Sequence, residues 1–187
     1  MDASPLSRWE NFYVIVGSSA GALTGLQFVV FTLLGEGQAR RRSNMQEVRA
    51  FGSPTVVHFC AALLIAAVMS APWNSLTSAA VALGVCAVLG GVYAVSVIRH
   101  ARRQQGYQAD AEDWFWYIIL PIVHYVVLLV AALLLDSLTT LALFLVAATS
   151  LLLLFNGIHN SWDSVTYIAL HHMDSADGDS NKRDDAA

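Results

Sequence analysis

A chain of 187 residues that is 56% hydrophobic and only 13% charged, with a mean hydropathy of +0.55, is not composed like a water-soluble domain, in which about 25% of residues are charged. The net charge of −4 comes mainly from the segment that begins at Asp174, and the basic residues gather in short loops, so the broad basic face of a nucleic-acid binder is not expected. The expected class is an all-α polytopic membrane helix bundle.

Met1 to Glu10 forms a polar lead without the basic start and small-residue cleavage site of a secretory signal. The first apolar run, 11–34, is long enough to span, since ~20 residues cover the hydrocarbon core. Gly17, Gly21 and Gly25 recur in it every four residues and share one helix stripe, flanked by Ser18 and Thr24. Each glycine costs a helix in water about 1 kcal/mol relative to alanine. In a bilayer the same flat stripe admits a second backbone at close range. These five residues are therefore the expected packing seam, a glycine zipper that needs a neighbour.

A polar loop over 36–50 carries Arg40, Arg41, Arg42 and Arg49. The second run, 53–71, opens on Ser53-Pro54, where proline suits a helix start because its missing N–H leaves no bond unmade. Ala71-Pro72-Trp73-Asn74 is a tight turn. The third run, 75–98, closes on Arg99, Arg102 and Arg103, and Asp110, Glu112 and Asp113 then precede the fourth run, where acids suit the positive end of a helix dipole. That run, 114–135, contains Pro121, an expected kink. After Asp136-Ser137 the fifth run spans 138–160 and is expected to continue as a helix to about 172. The tail, 174–187, is too polar to bury a core and is expected to be disordered. The domains are thus the lead (1–10), a five-span membrane unit (11–173) and the tail; the alternative is four spans with one run lying on the surface.

Loops one and three hold seven arginines and the two tight turns hold no Lys or Arg. The positive-inside rule then puts the N-terminus outside and the C-terminus in the cytoplasm. Trp9 and Trp73 would mark the outer interface, and Trp114, Trp116 and Trp162 the inner one. Arginine-rich short loops suit a bacterial inner membrane, although other membranes obey the same bias. Cys60 and Cys86 both lie inside apolar runs and read as small buried hydrophobes.

The polar residues inside these runs are the candidate functional groups. On an unbroken fifth helix, Thr149, Asn156, Asn160, Asp163 and Tyr167 fall within about 60° of arc, with His159 at the edge. Such a face avoids lipid and must meet protein or water. His58, His124 and His159 all belong to the inner half of the membrane. They read as hydrogen-bonded packing residues of the bundle, as a proton path with Tyr117, Tyr125 and Asp163, or as ligands for haem or a metal. Against the latter, the chain has no HExxH, no Cys-x-x-Cys and no carboxylate–histidine pair at ligand spacing inside a span. No nucleophile elbow or phosphate-cradling loop occurs, so no catalytic residue and no cofactor is assigned and an enzyme is not expected.

Three functions remain open on these residues. The first is a homo-oligomer with a channel or transport path for a proton or small ion, its seam at the first helix and its cytoplasmic mouth at Asn156, His159, Asn160 and Asp163. The second is a non-conducting membrane scaffold or modulator that binds another membrane protein by the same seam. The third is a haem- or metal-carrying redox protein.

Overall fold

The computed structural model describes residues 5–38, 45–101 and 114–184, and every regular element among them is helical. A short 3₁₀ turn, Pro5–Trp9, leads into α1 (Glu10–Gln38). Then come α2 (Met45–Ser70), α3 (Leu76–Ala101), a π-helical turn at Phe115–Ile119, α4 (Leu120–Leu134) and α5 (Thr139–Asp184). Helices α2, α3, α4 and α5 close a four-membered ring in which α2 touches α3 and α5, and α4 touches the same two. α2 and α4 are therefore diagonal. α1 lies outside the ring, packed mainly on α2 and along the edge of α5.

The polarity of this bundle is inverted relative to a soluble one. Along α3, Val81, Val85, Val88, Leu89 and Val92 form an i, i+4, i+7, i+8, i+11 stripe in which each is more than half exposed. The buried set includes Gln27, Thr55, His58, His124, Asn156 and Asn160. Water would drive that arrangement inside out, whereas hydrocarbon stabilises it, because an apolar outer face loses nothing against acyl chains. Four of the helices are long and apolar enough to cross a membrane: 5–30, 76–99, 115–134 and 139–163. The apolar part of α2, Thr55–Ser70, is shorter.

Several sequence expectations need correction. Pro54 does not open α2: the helix begins nine residues earlier, at Met45, and runs through the proline. Pro121 does stand near the start of its helix, but its neighbourhood relaxes into a π turn in which the Leu120 N–H reaches Phe115 O. Proline offers no N–H to Tyr117 O, and a wider turn accommodates the break in the ladder. α5 continues to Asp184, past the expected end near 172 and through most of the segment expected to be disordered. Extending an existing helix avoids the nucleation step. Cys60 is not a buried hydrophobe but exposed on the outer surface, Cys86 is half-buried, and both are free thiols.

The glycine stripe of α1 divides. A Cβ at Gly17 would lie 3.2 Å from Ala66 Cβ, so that residue does sit against α2. Gly21 and Gly25 face nothing within 4 Å, and Ser18 is exposed. Thr24 bonds its own helix, Oγ1 donating to Ala20 O at 2.8 Å. The closest approaches in the bundle use other glycines. A Cβ at Gly157 of α5 would meet the Phe59 ring at 2.5 Å, and one at Gly90 of α3 would collide with the ring of Tyr125.

The two ends of the bundle differ. At the turn end, Trp73 Nε1 donates to Val68 O at 2.6 Å and ties the α2–α3 turn to the helix before it. Trp9 meets Phe144 edge to face, with ring centroids 4.9 Å apart, a favourable aromatic geometry. A cleft of about 180 Å³ between the 3₁₀ turn and that corner is lined by residues that include Leu6, Glu10, Met69 and Trp73. At the loop end, Trp116 stacks on His159 and Trp162 is 74% exposed. The arginines at 40–42, 102 and 103, and the acids at 110, 112 and 113, lie outside the described residues.

A polar column in the loop half of the bundle

Contacts between the antiparallel helices fix the level of each polar residue. Gly157 lies beside Phe59, Trp116 beside His159, and Tyr117 beside Asn160. His58 of α2 therefore stands near the level of residue 118 on α4. His124 is some six residues closer to the turn end, roughly 9 Å at 1.5 Å per residue. Asn156 on α5 falls between them in depth.

Three of the five residues of the expected α5 stripe, Thr149, Asn156 and Asn160, are buried on one face. That face points into the protomer, against α2 and α4, and not outward toward another copy. Asp163, its side chain 44% exposed, ends the described part of the stripe, and the side chain of Tyr167 lies outside the described residues. His159 is at the edge, as its helical angle requires. Its ring stacks on Trp116 at 3.8 Å with 13° between planes, and its Nδ1 is 3.1 Å from Asp163 Oδ2. The two atoms are close but make no hydrogen bond.

Deeper in the bundle the partners thin out. Ser150 Oγ is satisfied by Val146 O at 2.8 Å. Ser161 Oγ lies 2.8 Å from Gly157 O and 3.0 Å from Gln27 Oε1. A hydroxyl has one proton, so both contacts are satisfied when the Gln27 amide turns its nitrogen toward Ser161. This bond is the polar tie between α1 and the ring, and the sequence reading did not find it. Glutamine on a span costs energy against lipid and so signals that a partner exists, but its identity, 134 residues away, is not local information.

Buried side chains with polar atoms that meet no protein partner include, in this half, His124 (both nitrogens), His58 (Nδ1), Asn156 (the whole amide) and Tyr125 (the hydroxyl), and, at the turn end beside Trp9, the hydroxyl of Tyr13. Each such atom costs several kcal/mol in hydrocarbon. His58 and His124, on the diagonal helices, are within electrostatic range of each other, as are Tyr125, Tyr93 and Cys86. Among the described residues no Asp, Glu, Lys or Arg is buried.

Toward the turn end the interior changes character. Leu83, Leu128, Ala131, Leu135, Ala142 and Val146 are all fully buried there. From Leu128 to Leu135 this packed apolar layer is about 10 Å thick. The column is thus polar from the loop end to about mid-bundle and dry beyond it.

For haem or a metal the geometry is demanding. Two nitrogens on one metal stand about 4 Å apart at ~2.0 Å each, while the axial stagger of His58 and His124 alone is roughly 9 Å. No group of three or more His, Cys, Asp or Glu suited to a metal occurs among the described residues. Comparison with known proteins gives no further guide: no family model, curated protein or solved structure matches this chain.

Proposed function

We propose that this is a membrane protein of five spans, N-terminus outside and loop end in the cytoplasm, that provides a transport path for a proton or small ion through its own helix ring. The observation that carries the reading is the set of partnerless buried polar atoms on His58, His124 and Asn156. A packing residue in lipid satisfies its polar atoms from neighbouring helices. Groups that do not are suited to a mobile polar species, and their depth and helix positions describe a route. Helix α2 is counted as the fifth span because Thr55–Ser70 lies at the same depth as its neighbours in the ring.

A second reading is a non-conducting scaffold. It is favoured by Gly21 and Gly25, which leave α1 with open space on its outer side, where a helix of another protein or a second copy of this chain would fit.

One reconstitution separates the two. The full chain is placed in liposomes with a pH gradient and a trapped pH dye, and compared with Asn156→Leu and His124→Leu. The transport reading expects flux in the parent and its loss in both variants. Flux that survives both variants removes the column from the route. A silent parent that co-purifies with one stoichiometric membrane partner favours the scaffold.

A further inference from the structure

We propose, resting on the transport reading, that the column is a blind hydrated half-channel: water enters at the loop end, reaches Asn156 and His124, and stops at the apolar layer. The species held at its closed end is an excess proton shared between water and the two imidazoles.

The groups present choose among occupants. A bare alkali or divalent cation needs several oxygen ligands, usually with carboxylates among them. The only carboxylate of the α5 stripe, Asp163, is at the mouth, and no charged side chain is buried among the described residues. The deep set is two imidazoles, a carboxamide and a phenol. All four are neutral groups that donate or accept hydrogen bonds, which suits water molecules and a proton passed along them. A buried water makes about three such bonds, and the unmet atoms of His124, Asn156 and His58 offer them at successive depths. In the transfer step a protonated water gives its proton to an imidazole nitrogen and leaves as neutral water, so charge and atoms balance. An imidazole suits this role because one ring nitrogen accepts a hydrogen bond while the other donates one.

The titratable groups facing this end from each packed helix are few. α2 contributes His58 and α3 contributes Cys86 and Tyr93. The π turn adds Tyr117 and α4 adds Tyr125, and on α5 the groups among the described side chains are His159 and Asp163, both at the mouth. α1 faces the column with the neutral Gln27. No fixed charge at depth competes with a proton at His124.

The blind end follows from packing. Beyond His124, Leu128, Ala131 and Leu135 of α4 meet Leu83 and Val146 with their side chains fully buried. An apolar interior packed this closely stays dry.

The test is solid-state NMR on the full chain in lipid bilayers, with ¹⁵N-labelled histidine, asparagine and leucine and magnetisation transferred from mobile water. Ring signals are assigned from the spectra of His58→Phe and His124→Leu. The expected result is water transfer to the rings of His58 and His124 and to the Asn156 side-chain amide, with none to the backbone amides of Leu128 and Leu135. Asn156→Leu should abolish the transfer to His124 and leave that to His58. A dry His124 in the parent chain overturns the proposal, and so does water at Leu128 and Leu135, which would mean an open pore. Hydrated imidazoles without flux in liposomes would uphold this inference while removing the transport reading. Flux with dry imidazoles would do the reverse.

Discussion

Replacing Gly157 by alanine isolates the closeness of α2 and α5 from every other effect of losing a glycine. The added Cβ would stand 2.5, 2.7 and 3.1 Å from Cε1, Cδ1 and Cζ of Phe59, where carbon atoms prefer about 3.5–4.0 Å. Phe59 is only 1% exposed, so its ring is enclosed by neighbouring side chains. The helices must part or the ring must leave its rotamer, an overpacking penalty of about 1–3 kcal/mol. Alanine also gains roughly 1 kcal/mol of helix propensity, which masks part of the loss. Gly21→Ala supplies the control, because it has the same propensity gain and its Cβ meets nothing within 4 Å. The difference between the two variants is then the steric part alone. At 2–4 °C per kcal/mol for a chain of this size, Gly157→Ala should melt roughly 2–12 °C below Gly21→Ala. The assay is fluorescence-detected thermal unfolding of both proteins in one detergent. Equal midpoints would refute the reasoning, since they would mean that Phe59 yields at no expense or that the helices do not touch there.

Two further expectations concern the polar interior. His124→Leu removes two partnerless nitrogens and fills a similar volume with apolar atoms, so it should raise stability by about 1–3 kcal/mol in the same melting assay while removing proton flux; a destabilised variant would mean that His124 has protein partners after all. Gln27→Leu and Ser161→Ala should each weaken the hold of α1 on the ring, and a double-mutant cycle should give a coupling of about 0.6 kcal/mol, the usual size for such bonds in membranes; a coupling of zero would remove the tie.

The sequence was readable wherever the signal was local. Long apolar runs, Trp-marked ends and two tight turns located five helices to within a few residues at most of their boundaries. The angular position of Asn156 and Asn160 on α5 also showed that they had to face away from lipid. What that face met was not readable, because it depends on contacts such as Phe59 with Gly157 and Gln27 with Ser161, about 100 and 134 residues apart in the chain. The glycine periodicity was readable only in part for the same reason. Spacing shows that Gly17, Gly21 and Gly25 share a stripe, but only the crossing of α1 over α2 decides that Gly17 alone is covered. Gly90 and Gly157, which lie on no such repeat, are the ones that bring helices together. Pro54 was misplaced because the residues before it, polar enough to resemble a loop, continue the helix.

The apolar layer between His124 and the turn end has an electrical meaning. A membrane voltage falls mainly across matter that holds neither water nor mobile charge, so in a bundle wetted from one side the field gathers in this thin barrier. A charge resting just beneath it then feels a large share of the full ~2.3 kcal/mol per 100 mV. Its occupancy would follow the voltage as well as the pH, and the few residues from Leu128 to Leu135 would act as the insulator of a small capacitor.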